Sequence, residues 1–347
     1  MPRSEPCASV PSMHWICNST KRMHKFRLFL SAGLPLIALA LVAAAGQKVR
    51  LAPKFPPGAT LYYQVASRAT TTGKTTTPIA NPEGGSKASQ VIDLLVRIDV
   101  LDLPSASTSR SDAVRLRATY EKSHAQFESD AFDPAGSSLE DEYRRIQGRS
   151  IEFTIEPGGQ LSDFKGVDQL FSDPSAAAPV ISWLDGLSSG SGFPKNGISI
   201  GQKWRSERAI PGTPLSGLIW LTESTYLRNE PCDSRGSAMR AGASPDACAV
   251  ILTRFEISRH GSAHSDATPE DYRRNGLRTS GAWSGSGESL DSISLADGLL
   301  VSSTQTSTQD MDYQIVSAST GSSIHRTGRI RSQSVITLVP APASLQP

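Results

Sequence analysis

The sequence predicts a mainly β protein, with long antiparallel strands forming a curved sheet or barrel-like sandwich and one amphipathic helix at about 174–188. Three observations predict it. Apolar side chains recur with period two over long stretches. Gly- and Pro-bearing turns separate those stretches. One run alone has helical spacing, far too little for the crossovers that a parallel sheet requires.

Taken in order, Gly58 opens a strand over 59–66, with Leu61, Tyr63 and Val65 on one parity. Residues 67–88, rich in Thr, Gly, Pro and Ser, read as a projecting surface loop. The clearest pattern follows over 90–103, where Ile92, Leu94, Val96, Ile98 and Val100 alternate with Asp93, Arg97 and Asp99. Such alternation means a sheet with one wet face. The same logic sets Val114, Leu116, Ala118 and Tyr120 against Arg115, Arg117, Thr119 and Glu121. It also sets Ile151, Phe153 and Ile155 against Glu152, Thr154 and Glu156. A polar stretch at 102–111 serves as a hairpin connection, and Pro157-Gly158-Gly159-Gln160 turns the chain into 161–164. Residues 139–148 fit helix and strand equally. The helix near 174–188 has Asp173 as cap, Pro174 at its first position and Val180, Trp183, Leu184 and Leu187 as its stripe. Strand character returns at 198–204, 218–227, 249–258, 290–295, 300–316 and 331–339. The body spans 58–340, as one core or as two halves, 58–171 and 194–340; 341–347 is a tail.

Ahead of that body, Lys25 and Arg27 precede an apolar run at 28–42 that ends in Ala43-Ala44-Ala45-Gly46. A basic start, a short apolar centre and small residues form an export signal over 1–45, with cleavage expected after Ala45 and Met23 as an alternative start. Residues 46–57 form a Pro-rich lead-in. Residues 1–45 carry Arg3, Lys21, Arg22, Lys25 and Arg27 against Glu5 alone, a net +4 out of +2 for the whole chain, so the rest is near −2 with both signs interspersed. This excludes nucleic acid as a partner and leaves membrane contact to the signal alone. Cys7 and Cys17 fall in the segment to be lost, which leaves Cys232 and Cys248 flanking a Ser-, Arg-, Gly- and Pro-rich loop. In a periplasmic or extracellular setting that pair reads as a disulfide.

Several groups bear on chemistry. Gly186-Leu187-Ser188-Ser189-Gly190 and Gly197-Ile198-Ser199-Ile200-Gly201 match the hydrolase G-x-S-x-G pattern, but neither lies where a strand turns sharply into a helix. His260, His264 and Asp266 sit in a turn-like run without a further strong ligand, so neither a metal nor a cofactor is expected. His124 and His325 stand alone on strands. The acidic runs Glu140-Asp141-Glu142 and Glu270-Asp271 read as solvated surface. Trp183, Trp204, Trp220, Trp283, Tyr226 and Phe255 read as core first and as a ligand-lining set second.

The run Phe193-Pro194-Lys195-Asn196-Gly197-Ile198-Ser199-Ile200-Gly201-Gln202-Lys203-Trp204 resembles the "vGdsW" signature of an exported bacterial family of unknown function. Gln202-Lys203 departs from the usual Asp-Ser or Asp-Thr. The pieces Gly58–Tyr63, Glu156–Leu161, Ser286-Gly287-Glu288 and Leu295–Leu299 echo the same family. That resemblance implies an exported all-β domain and transfers no active site. Gly201 would make a tight turn, and Trp204 would anchor the next strand. The expected function is a non-enzymatic module of a bacterial envelope or exterior that binds an apolar ligand or a protein partner. The alternatives are a secreted hydrolase assembled from distant carboxylates or His residues, and a structural envelope component.

Overall fold

A computed structural model describes residues 48–76, 85–101, 113–130, 134–157, 159–170, 183–187, 192–210, 213–232, 247–259 and 267–342. Their strands form one sheet, ordered β5-β4-β3-β2-β1-β11-β10-β9-β8-β7-β6. In chain order the first half holds β1 (Thr60–Thr76), β2 (Ser86–Leu101), β3 (Val114–Ser129), β4 (Ser150–Ile155) and β5 (Leu161–Lys165). The second half holds β6 (Lys203–Ala209), β7 (Leu218–Pro231), β8 (Ala247–Arg259), β9 (Leu277–Ser294), β10 (Leu300–Ser317) and β11 (Ser323–Val339). Every pairing is antiparallel, and each links chain neighbours except that of β1 with β11. This pairing joins the two halves into one sheet. The sheet curves but does not close, because β5 and β6 remain its edges.

Alternation decides which face is inner. On β2, Ile92, Leu94, Val96, Ile98 and Val100 are buried, as expected, while Asp93 points to solvent. The outer face carries ion pairs instead: Arg97 with Glu121 at 2.7 Å, Arg205 with Glu223 at 2.8 Å, and Glu152 between Arg115 and Arg117 at 3.2 and 2.8 Å. Arg117 first, and then Arg115, holds the Glu152 carboxyl below its ordinary value.

A single main core fills one end of the inner face and draws on both halves: Leu116, Tyr120 and Phe153 with Ile251, Leu300 and Leu338. Burying a large side chain of this kind contributes about 1.5–3 kcal/mol. Helix α1 (Pro134–Ile146) packs on β3 and inserts Tyr143 and Ile146 into this core. It occupies the stretch where helix and strand fitted equally; apolar positions three apart decide for helix once β3 offers a surface. Of the helix expected near 174–188, the described part is α2 (Leu184–Leu187), and Trp183, Leu184 and Leu187 are buried in the main core. Asp173, Pro174 and Val180 lie outside the described residues, as do the segment 1–45 expected to be an export signal and the tail beyond Pro342. A third helix, α3 (Glu270–Arg274), leads into β9. No helix among the described residues is long and apolar enough to cross a membrane.

Three expectations are corrected. Much of 67–88 is strand: β1 continues to Thr76 and β2 starts at Ser86, with Thr71 paired to both Ile330 and Ala88. Two flanking ladders satisfy the backbone there, and they outweigh a loop-like composition. Residues 198–204 are not a continuous strand. Ile198 makes one isolated bridge to Val49, and the strand starts at Lys203. Finally, β9 starts at Leu277 rather than 290, and β11 at Ser323 rather than 331. The lead-in is also more engaged than its composition suggests, since Leu51 is buried in the main core and Lys54 N–H donates to Asp297 O at 2.7 Å.

Candidate binding groove

The registers of β6 to β11 set the inner face out as transverse rows, and the rows change character from one end to the other. At the core end, Tyr226, Ile251, Asp291, Ser303 and Ile336 lie side by side. The next row is Ser224, Thr253, Ser289, Gln305 and Ser334. Then come Ser206, Thr222, Phe255, Gly287, Ser307 and Ser332. Trp220, Ile257, Gly285 and Gln309 form the row beyond. A second apolar cluster closes the far end, where Leu215, Leu218, Ile257, Ala267 and Tyr313 are buried with Trp220, Trp283 and Met311 against them. The inner face is therefore dry at both ends and hydroxyl-rich at its waist.

A groove of about 850 Å³ runs along the third of these rows and spans β6 to β10. Phe255 lies in its floor because Gly287 opposite has no side chain: a Cβ there would collide with Phe255 Cζ and Thr306 O. The Trp220 ring meets Phe255 edge-on at 5.0 Å. Hydroxyls on either side pair across strands, Ser206 with Thr222 at 2.6 Å, Ser224 with Thr253 at 2.9 Å and Ser307 with Ser332 at 2.7 Å. A hydroxyl has one donor and two acceptor positions, so each pair keeps hydrogen-bonding capacity for a further partner. At the far end, Trp283 stacks on Tyr313 at 6.0 Å and its Nε1–H donates to Gln309 Oε1 at 3.1 Å.

Between the waist and the main core sits Asp291. Its carboxylate accepts from Ser303 Oγ at 2.6 Å and from Ser289 Oγ at 3.1 Å. Burial raises this carboxyl above its ordinary value, while the two hydroxyl donors pull the other way.

The residues singled out from sequence scatter over the molecule. Cys232 and Cys248 are disulfide-bonded where β7 ends beside the start of β8. Gly201 has φ +83° and its N–H donates to Tyr226 O at 2.7 Å, while Trp204 packs on the main core and lies 5.6 Å from Phe193. Ser199 is in the turn before β6, where its N–H donates to Gln202 Oε1 at 3.1 Å; Ser188 lies outside the described residues. So do His260, His264 and Asp266. His124 is exposed on β3, and His325 Nε2 lies 2.7 Å from Asp312 Oδ1 at the surface. Glu140 accepts the Phe127 N–H at 3.1 Å, and Asp141 and Glu270 pair with arginines of their own helices. Of the aromatic set, Trp183 and Tyr226 belong to the main core, whereas Phe255 lines the groove, and Trp220 and Trp283 pack on the second apolar cluster, Trp220 edge-on to Phe255. Among the described residues no group of three His, Cys, Asp or Glu could hold a metal ion. Sequence reasoning missed Asp291, Tyr313 and the hydroxyl rows. Gly281, Gly285 and Gly287, all on one parity, were the signal that side chains from neighbouring strands lie over β9.

Fold and groove define an all-β protein with one open, curved antiparallel sheet and a hydroxyl-lined concavity. No protein-family model matches the chain, and no curated protein matches it. Similar solved structures include one described as lipid-protein interactions in lipovitellin, with 13% identity and a TM-score of 0.43 over 85% of this chain and 27% of that one. Another is an outer membrane channel from Pseudomonas putida F1, with 8% identity and a TM-score of 0.18 over 82% of this chain and 97% of that one. The chain thus spans about a quarter of the lipovitellin chain's length. Likenesses this partial carry no argument about ligand or activity.

Proposed function

We propose that this is an exported, non-enzymatic binding module of a bacterial envelope or exterior, and that its ligand is a small molecule with an apolar body and a polar edge. The groove along Ser206, Thr222, Phe255, Gly287 and Ser307 carries this reading. Phe255 and Trp220 offer an apolar surface, and the paired hydroxyls beside them offer donors and acceptors. A concave, partly apolar site with a few convergent polar groups is the general form of a small-molecule pocket. The Cys232–Cys248 bond supports an oxidising compartment, where such bonds persist. Export would use the segment before Ala45, and Edman sequencing of exported protein is expected to read from Gly46.

The groove is tested with the purified exported chain and the fluorescent apolar probe N-phenyl-naphthylamine. Saturable binding, displaced by a lipid extract of the producing cells and weakened at least tenfold by Phe255→Arg, is the expected result. Absence of saturable binding, or binding untouched by Phe255→Arg in a folded variant, sinks the proposal.

A further inference from the structure

The waist of the inner face is almost without charge, and Asp291 is the exception. The registers of β11, β1, β2 and β3 carry its row on from Ile336 to Val65, Leu94 and Ser123. The adjoining row passes from Ser334 to Ser67, Ile92 and Ala125, and the groove row from Ser332 to Ala69, Gln90 and Phe127. Among the described residues, Asp291 is the only Asp, Glu, Lys, Arg or His in these rows. On the outer face, Glu152 and Glu223 sit in ion pairs with arginines. The described partners of Asp291 are instead two neutral hydroxyls, Ser303 and Ser289. An ionised carboxylate has about four acceptor positions, so two donors leave capacity for a further one. Ser289 stands in the row toward the groove, and Asp291 itself is half-buried rather than sealed off. Burial holds its carboxyl above the ordinary value despite both hydroxyls, so the charged form is under-compensated by its own chain. A charge withdrawn from water is stabilised by an opposite charge within hydrogen-bonding reach.

We propose that Asp291 is a cation subsite of the concavity, and that the ligand carries a positively charged amine that pairs with this carboxylate while its apolar body lies toward Phe255. Asp291 and Gly287, the residue opposite Phe255, are four positions apart on β9, about 13 Å along a strand. Both side chains of that span, at Ser289 and Asp291, face the same side as Phe255, so an amphiphile laid along β9 meets an aromatic surface, then hydroxyls, then the carboxylate. An ammonium supplies the donors that two serines cannot, and charge-assisted hydrogen bonds are about twice as strong as neutral ones. The stretches 171–182 and 188–191, which adjoin the buried Trp183, Leu184 and Leu187 of the same main core, hold no Lys or Arg. The inference rests on the reading of the groove as a small-molecule site and adds the charge of the ligand.

Isothermal titration calorimetry of the full exported chain at pH 7 with octylammonium, octanol and octanoate, each below its micellar range, tests the charge. Octylammonium is expected to bind at least about tenfold more tightly than octanol, and octanoate more weakly than either. Asp291→Asn, with Asp291→Ser as a second replacement, is expected to bring octylammonium within about twofold of octanol. Thermal melts confirm that the variants are folded. Glu128→Gln, which removes an exposed carboxylate from the outer face of β3, is expected to keep the full preference. Arg235 and Arg240 lie outside the described residues, and replacing both by alanine is expected to leave octylammonium affinity unchanged. A rise in that variant would assign Asp291 to a cation of its own chain and overturn the proposal. So would a wild type without preference for the ammonium, or a preference that survives both replacements of Asp291. If N-phenyl-naphthylamine binds as expected and the ammonium preference is absent, the groove reading stands and the cation subsite falls. If the preference is present and lost with Asp291 but N-phenyl-naphthylamine does not bind, the cation subsite stands and the groove reading falls.

Discussion

The phenol of Tyr63 donates to the carbonyl oxygen of Leu300 at 3.0 Å, buried, across 237 positions of the chain. The bond ties β1 to β10 past the intervening β11, where the two halves of the chain meet in the middle of the sheet. Burial, with Asp297 nearby, pushes the Tyr63 hydroxyl well above its ordinary value, so it remains a donor at any working pH. Tyr63→Phe removes a buried hydrogen bond and keeps the ring. Urea melts are expected to show a loss of about 1–3 kcal/mol with an unchanged slope.

Asp291 gives a pH dependence of definite sign. Its folded-state carboxyl titrates above the unfolded value, so the folded protein binds more protons between those two values. Stability therefore falls as pH rises through that window, from the ordinary value of 3.8 upward. Asp291→Asn keeps an acceptor for Ser303 and removes the charge. The variant is expected to melt higher than wild type at pH 7 and to converge with it in acid, and a variant that melts lower at pH 7 would contradict the assignment.

The disulfide clamps Cys232 to Cys248 over a sequence separation of 16. Loop closure of that size restricts the unfolded chain by about 3 kcal/mol. Replacing both cysteines by serine is expected to cost about that much in a denaturant melt, and reductant is expected to lower the wild-type midpoint without affecting the double variant.

Gly281 holds φ at +129°, and a Cβ there would collide with Asp312 O and lie 2.6 Å from Tyr313 Cα. Gly281→Ala must move β10 or adopt a strained backbone. A loss of about 1–3 kcal/mol is expected in a thermal or urea melt, with altered tryptophan fluorescence as the Trp283–Tyr313 stack opens.

Legibility varied with what the inner face carries. On β2 and β3 it carries Ile, Leu, Val and Tyr, and alternation located both strands and their buried parity. In the early part of β9 it carries Gly281, Gly285 and Gly287, and in β1 beyond Ala66 it carries Ser67, Ala69 and Thr71, so no apolar rhythm marks either stretch. Those segments are strands because neighbours on both sides bond their backbones, and a neighbour's identity is not a local property. The aromatic candidates were legible as residues, yet core and groove members could not be separated. Phe255 and Tyr226 lie on the same face of adjacent strands, and only depth along the sheet distinguishes them.

By itself the sequence determined the strand-rich class and the face each amphipathic strand would bury, because these depend on the alternation of side chains along a pleated backbone, and it marked the cysteine pair by the loop that Cys232 and Cys248 flank. The tertiary structure alone decided that β1 lies against β11, that one core serves both halves and that five strands align Ser206, Thr222, Phe255, Gly287 and Ser307 in one row. Register between distant strands is a property of the assembled sheet, where a shift of one residue would turn every inner side chain outward.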